Sequence, residues 1–254
     1  MRTFPSLLVV VIVVGAFGFC APSGVGSAQQ SSEPPKQNKI GSEPASFSTP
    51  IRIVAWNVES GGNDPGIIAL QLKQFGPCDV FALSEVSPRS FERYATALGS
   101  NYQSIASKSG GGDRLQVLFR SDRFELIRNI ELTQGGSFRL NDGNHRSPLL
   151  VHLRDRATNL HFQVVANHLA RGNAELREEQ ASGLREWARH QTIPTVTIGD
   201  FNFDYSFVTG TGNPGFAAMM RDGVWKWVQP EEWIDTNWSD GGRGHAGDGM
   251  DDFP

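Results

Sequence analysis

Five polar side chains stand just past apolar runs in this chain. Asn57 ends I-R-I-V-A-W-N, Glu85 ends V-F-A-L-S-E, and His168 follows Asn167 at the end of F-Q-V-V-A-N-H. Asp200 and Asn202 sit two apart in T-V-T-I-G-D-F-N. Residues two apart on an extended chain face the same side, so that last pair presents an acid and an amide together. Such a set can hold a metal, a water or a phosphate oxygen, and it suits cleavage of a phosphate ester. The substrate is anionic and repels a nucleophile. A hard divalent cation, held by carboxylate and amide oxygens, neutralises that charge and polarises the phosphorus–oxygen bond. In this reading Glu85 and Asn57 are the metal residues. Asp200 accepts a proton from the attacking water or orients it, and Asn202 and His168 donate hydrogen bonds as charge builds on the non-bridging oxygens. A donor set that is mostly oxygen points to Mg²⁺ or Mn²⁺ rather than zinc.

The elements that must deliver these residues are legible as alternations of apolar and polar positions. Ile51 to Val58 and Asp79 to Val86 read as strands, separated by a helix over Asp64 to Phe75 that Asp64 caps, Pro65 opens and Gly76-Pro77 stops. Pro88 to Leu98 reads as a second helix ending at Gly99. Strands follow over Tyr102–Ala106, Leu115–Arg120, Phe124–Leu132, Ser147–Arg154 and Leu160–Asn167, the last two forming a hairpin about a polar turn. Ala174 to His190 is an amphipathic helix, and the G-D-F-N strand comes next. Gly210 to Gly215 reads as a loop and Phe216 to Arg221 as a helical turn. Strands with interspersed helices indicate an α+β or layered α/β protein.

Each motif alone has an ordinary structural reading. Asn57 could cap a turn, Glu85 could be a solvated strand end, His168 could be a hydrogen-bonded core histidine, and Asp200 could cap the next turn. His145, His152, His161 and His190 lack a metal-ligand spacing. Gly110-Gly111-Gly112-Asp113 is a loop without the Lys-Ser/Thr of a nucleotide-binding P-loop. Trp225, Trp227, Trp233 and Trp238 fit packing better than base stacking. Asp248, Asp251 and Asp252 do not have the spacing of a calcium loop.

Taken in order, W-N-V, S-E-V, N-H-L and G-D-F-N resemble the motifs of the endonuclease/exonuclease/phosphatase superfamily, the deoxyribonuclease I-like fold. Arg146-Ser147-Pro148 resembles that family's R-x-P strand, which implies an arginine near the scissile phosphate. Leu115 to Phe124 looks like a strand and turn common in bacterial members. The resemblance implies a four-layered α/β sandwich of two mostly antiparallel sheets with outer helices, and Mg²⁺-dependent phosphoester hydrolysis. It covers Ile51 to Asp204 well and Trp225 to Pro254 loosely. Members continue with an L-D-[FY] strand and an S-D-H motif; here only M-D-D-F at Met250 to Phe253 stands in that region, so the last strands are expected to be missing.

The rest of the chain bounds this reading. Met1 to Ala28 has the marks of an export signal: Arg2, an apolar run from Leu7 to Phe19, and small residues at Gly26-Ser27-Ala28. The run is too short to span a bilayer comfortably, so no stable membrane span is expected after cleavage, and the protein is expected in the periplasm or outside the cell. Residues 29–49 are poor in apolar side chains and read as a disordered linker, leaving 50–254 as one domain. Cleavage leaves Cys78 as the only cysteine, expected to be buried. The formal charge of −4 becomes −5 without Arg2, which gives no support to broad electrostatic attraction to nucleic acid. The expected partner is a phosphoester substrate, nucleic acid among them. The rivals are a non-catalytic binding module on the same scaffold and a lipid or sugar-phosphate hydrolase.

Overall fold

The structure, a computed structural model, describes residues 9–13, 50–59, 62–141, 143–206 and 209–228. The first sheet is built from β1 (Val9–Val13), β2 (Ile51–Asn57), β3 (Val80–Val86), β4 (Tyr102–Ala106) and β5 (Arg114–Arg120), in the order β1-β2-β3-β5-β4. After β6 (Phe124–Glu131) come two short strands, β7 (Gln134–Gly135) and β8 (Phe138–Arg139), and then β9 (Leu149–Asp155), β10 (His161–His168) and β11 (Thr195–Asp200). The second sheet has the order β11-β10-β9-β6. Each sheet contains one parallel pair, β2 with β3 and β10 with β11, and every other pairing within the two sheets is antiparallel.

The alternation along each strand sorts its side chains between two cores. Ile53, Ala55, Val80, Ala82, Val117 and Phe119 of the first sheet meet Val151, Leu153, Val164, Ala166 and Ile198 of the second. The opposite face of the first sheet (Val54, Phe81, Leu83, Leu118) packs on α1 (Pro65–Gln74) and α2 (Phe91–Leu98) through Ile68, Leu72 and Tyr94. The outer face of the second (Leu150, Val165) packs on α3 (Ala174–Arg189) and α4 (Pro214–Met220) through Ala181, Leu184 and Ala218. The result is helix, sheet, sheet, helix: the expected four layers. Strands covered on both faces carry near-continuous apolar runs, which is why they were readable. Cutting a fully buried chain such as Ile198 back to alanine should cost roughly 2–5 kcal/mol.

The helix ends follow local chemistry. Asp64 accepts from Gly66 N at 2.7 Å with Pro65 at the first helical position, and Asn173 accepts from Leu176 N at 3.0 Å. The 3-10 turn Pro88–Ser90 precedes α2, so the expected helix over Pro88 to Leu98 is two elements. α4 starts at Pro214 rather than Phe216, because Asn213 caps it with a 3.0 Å bond from Phe216 N. The expected loop Gly210–Gly215 contains β13 (Thr211–Gly212), paired with β12 (Tyr205–Ser206). Cys78 is fully buried, as expected.

Of the expected leader, Val9–Val13 is described as an edge strand, antiparallel to β2 with Val9 opposite Ala55 and Val13 opposite Ile51. Its V-V-V-I-V sequence is rich in β-branched residues that favour extended pairing. No helix among the described residues is long and apolar enough to cross a membrane. The expected linker at 29–49, Trp233, Trp238, the late aspartates and M-D-D-F lie outside the described residues.

Candidate active site

Both parallel pairs end in the same place. β2 and β3 pair Asn57 with Ser84, one residue short of Glu85, and β10 and β11 pair His168 with Asp200. The two pairs face each other across the inter-sheet core, so four side chains far apart in sequence meet at one rim. Asn57 Nδ2 donates to Glu85 Oε1 at 3.0 Å and to Asp200 Oδ2 at 2.8 Å. Its Oδ1 accepts from Glu59 N at 3.0 Å, which fixes the amide plane. His168 Nε2 lies 3.4 Å from Asp200 Oδ2 and 3.8 Å from Glu85 Oε1.

Local backbone geometry aims these groups. Glu85 has φ 55° and lies where the β3–β5 register slips between Leu83 and Val86. A bulged residue in the left-handed region turns its side chain away from the regular pleat, at an energetic cost that the packed strands on either side absorb. Asn202 has φ 51°, and Gly199 has φ 130° with its Cα so close to β10 that an added Cβ would meet Asn167 O at 2.3 Å. Gly199 is therefore required for β11 to bring Asp200 alongside His168. Asn202 donates its backbone N–H to Asp200 Oδ1 at 3.0 Å and one amide hydrogen to Leu169 O at 3.1 Å, tying the two strand ends together. Buried polar groups of α3 hold the segment after His168: Gln180 Oε1 accepts from Ala170 N at 2.9 Å, and Arg177 Nη1 donates to the carbonyls of Ala170 and Arg171.

Arg146 reaches the rim from the segment before β9 and donates to Asp113 Oδ2 at 2.7 Å. Asp113, read from the sequence only as part of a glycine loop, stands immediately before β5, the strand that pairs with the Glu85 strand. Ligand atoms of Glu85, Asp113 and His168 all lie within 4.8 Å of one another. Burial raises the Asp113 carboxyl above the ordinary aspartate range, with Arg146 pulling the other way. Burial likewise holds the His168 imidazole below its ordinary value against the opposing pull of Asp200, so the ring is neutral at pH 7. Its Nδ1 is buried without a partner.

The structure thus brings Asn57, Glu85, His168, Asp200 and, one turn away, Asn202 into one cluster, with Arg146 joined to it through Asp113. Among the described residues, neither Glu85 nor Asp200 has an arginine or lysine partner. Two carboxylates drawn onto one amide, with a third acid close by, form an oxygen-rich site of the kind a hard divalent cation satisfies. His152 and His161 lie elsewhere: they face each other across β9 and β10, Nε2 to Nδ1 at 2.8 Å. Trp227 packs edge-on against Tyr205 and Phe216, consistent with a packing role.

No curated protein matches the chain significantly. Among solved structures, an endonuclease/exonuclease/phosphatase family protein from Bacteroides thetaiotaomicron is 19% identical over 61% of this chain and 57% of that one, with a TM-score of 0.46. The mannosyl-6-phosphatase of the same bacterium matches at 19% identity over 61% and 60% of the two chains, with a TM-score of 0.46. The human Nocturnin catalytic domain with bound sulfate matches at 18% over 60% and 64%, with a TM-score of 0.47. The matched region spans less than two thirds of each of these chains. A family model described as Endonuclease/Exonuclease/phosphatase family matches residues 54–249, which include every residue of the cluster. By that match, over well more than half its length, the chain belongs to the endonuclease/exonuclease/phosphatase family.

Proposed function

We propose that this protein hydrolyses phosphodiesters outside the cytoplasm, using the cluster at the ends of the two parallel strand pairs. The observation that carries the reading is the Glu85–Asn57–Asp200 bridge, two acids held on one amide at 3.0 and 2.8 Å without an arginine or lysine partner among the described residues. Family membership supports phosphoester chemistry, and the sequence of residues 1–28 supports export.

Glu85 is the anchor for a divalent cation, Mg²⁺ or Mn²⁺, with the Asp113 carboxylate and Asn57 beside it. When bound, such an ion supplies charge neutralisation of the phosphate and polarisation of the bond to be broken. The protein's own groups do the rest. Asp200, oriented by Asn57 and by the Asn202 N–H, accepts a proton from the attacking water. His168, held in a fixed pose by its burial beside Asp200, donates from Nε2 to a non-bridging oxygen. Arg146, steered by Asp113, offers its guanidinium to the same phosphate, and Asn202 keeps the Asp200 turn closed over Leu169.

The test is a Mg²⁺-supplemented activity panel comparing plasmid DNA, RNA, sphingomyelin and bis(p-nitrophenyl) phosphate. Turnover of a diester that falls by about 10³-fold or more in Glu85→Ala and in Asp200→Ala supports the reading. Phosphomonoester cleavage alone would move the substrate class, and wild-type rates in both variants would remove the site assignment.

A further inference from the structure

The two sheets are tied at the site end by one carboxylate that the chemistry above does not use. Glu131 ends β6 in the second sheet, opposite Leu149. The segment from Ser107 to Asp113 joins β4 to β5 in the first sheet. Glu131 Oε1 accepts from Lys108 N at 2.6 Å, and its Oε2 accepts from Ser109 N at 2.9 Å and from the Ser109 hydroxyl. The same hydroxyl accepts from Ser147 N at 2.9 Å. A serine hydroxyl has one hydrogen and two lone pairs, so it can donate to Glu131 and accept from Ser147 together. Ser147 follows Arg146, and Ser109 immediately precedes the Gly110–Asp113 turn, closed by Asp113 N to Gly110 O at 2.9 Å.

The turn is also the wall on which Arg146 lies. Gly110 has φ 95°, and a Cβ there would meet Arg146 Cγ at 2.6 Å and Asp113 O at 2.2 Å. Moving the turn therefore moves both members of the Asp113–Arg146 pair. Burial of Glu131 raises its pKa, but the Ser109 and Lys108 bonds outweigh that, and the carboxyl sits below its ordinary range. It is ionised at neutral pH and accepts all three bonds as an anion, the stronger form of acceptor.

We propose that Glu131 is a positioning residue for catalysis: through the Ser109 hydroxyl it sets the placement of Asp113 and Arg146 at the rim. The inference rests on the phosphodiesterase reading of the site. A contact that only stabilises the fold would affect every background alike, whereas a positioning contact acts through Arg146.

The experiment is a double-mutant cycle on the full chain with the diester cleaved fastest, paired with amide hydrogen exchange. Glu131→Ala should lower kcat by about 10- to 100-fold with a smaller change in KM. In an Arg146→Ala background the same change should cost less than about 3-fold, and Glu131→Gln, which keeps one acceptor oxygen, should recover part of the loss. Equal losses in both backgrounds, or no loss, would overturn the proposal. Exchange tests the placement of the Ser109–Asp113 segment even if no diester is cleaved, an outcome that sinks the phosphodiesterase reading by itself. The Ser109 and Ser147 amides should exchange at least about 10-fold faster in Glu131→Ala while β9 and β10 stay protected. Unchanged exchange, or acceleration spread evenly over the sheets, would refute it.

Discussion

The two ends of the sandwich use the same kind of residue in opposite ways. At the end away from the site, Asp79 and Asp155 are 5% and 1% exposed, and each is fully partnered. Asp79 Oδ2 accepts from Arg123 Nη1 and Arg52 N, both at 2.8 Å, with Arg120 at 3.6 Å. Asp155 faces Arg123 Nε at 3.4 Å and accepts from Ala157 N at 2.9 Å and Thr158 N at 3.1 Å. Arg123 joins the start of β6 to the start of β3, so these charges fasten one sheet to the other. At the site end, Glu85 and Asp200 share one neutral amide and one neutral imidazole, and Arg146 at the same rim is paired with Asp113. Acids with resident cations serve stability. Acids gathered without one are in place for a cation or a substrate that arrives later.

Substitutions at the two ends should therefore separate activity from stability. The largest effect belongs to Glu85→Ala and Asp200→Ala, which should abolish at least about 10³-fold of turnover; Glu85→Ala should leave the melting temperature in metal-free buffer unchanged or higher, since it removes one of two crowded carboxylates. Arg123→Ala should do the reverse. It removes the closest cation from two buried acids, leaving Asp79 with Arg120 at 3.6 Å and Asp155 with backbone donors alone, and should lower the unfolding free energy by about 3–5 kcal/mol in denaturant titrations, with kcat of the folded fraction retained. A drop in kcat for Arg123→Ala, or a melting loss for Glu85→Ala, would break the contrast.

A smaller effect sharpens it at the closed end. Burial pushes the Cys78 thiol up to about 12 from an ordinary 9.0. The folded state therefore holds that proton where the unfolded chain has released it. Its stabilising contribution is intact below about pH 9 and lost as pH rises towards about 12. A chromogenic disulfide at pH 8 should leave Cys78 unreacted in native protein and label it fully in denaturant; rapid labelling of native protein would show that this end opens.

How much of this was legible beforehand follows from what sets each feature. Asn57, Glu85, His168 and Asp200 could be found because buried strands declare themselves as apolar runs, and the first polar residue past each run marks its end. Asp113 could not, because its place beside Glu85 depends on β5 pairing with β3, a strand order that no local pattern encodes. Its available signal was its position at the threshold of a strand. The left-handed backbones of Glu85 and Asn202 are imposed by a bulge and a tight turn on residues with no intrinsic need for them. Strands of two residues, β7, β8, β12 and β13, are too short to alternate. Arg177, Gln180 and Arg185 are polar residues on an amphipathic helix, yet they are buried: Arg177 and Gln180 bond the backbone at Ala170, just before the helix, and Arg185 bonds Ala218 O, contacts that no helical periodicity announces.

The central claim is that the open acids await a divalent cation, and a calorimetric titration of metal-free protein with Mg²⁺ tests it most directly. The account predicts saturable binding to the wild-type chain and a rise in its melting temperature. At about 100 times the dissociation constant the stabilisation would be about 2.7 kcal/mol. Both effects should disappear in Glu85→Gln and persist in Arg139→Ala, an exposed residue whose side chain pairs with Glu179 of α3. Identical binding by wild type and Glu85→Gln, or no binding by either, would contradict it.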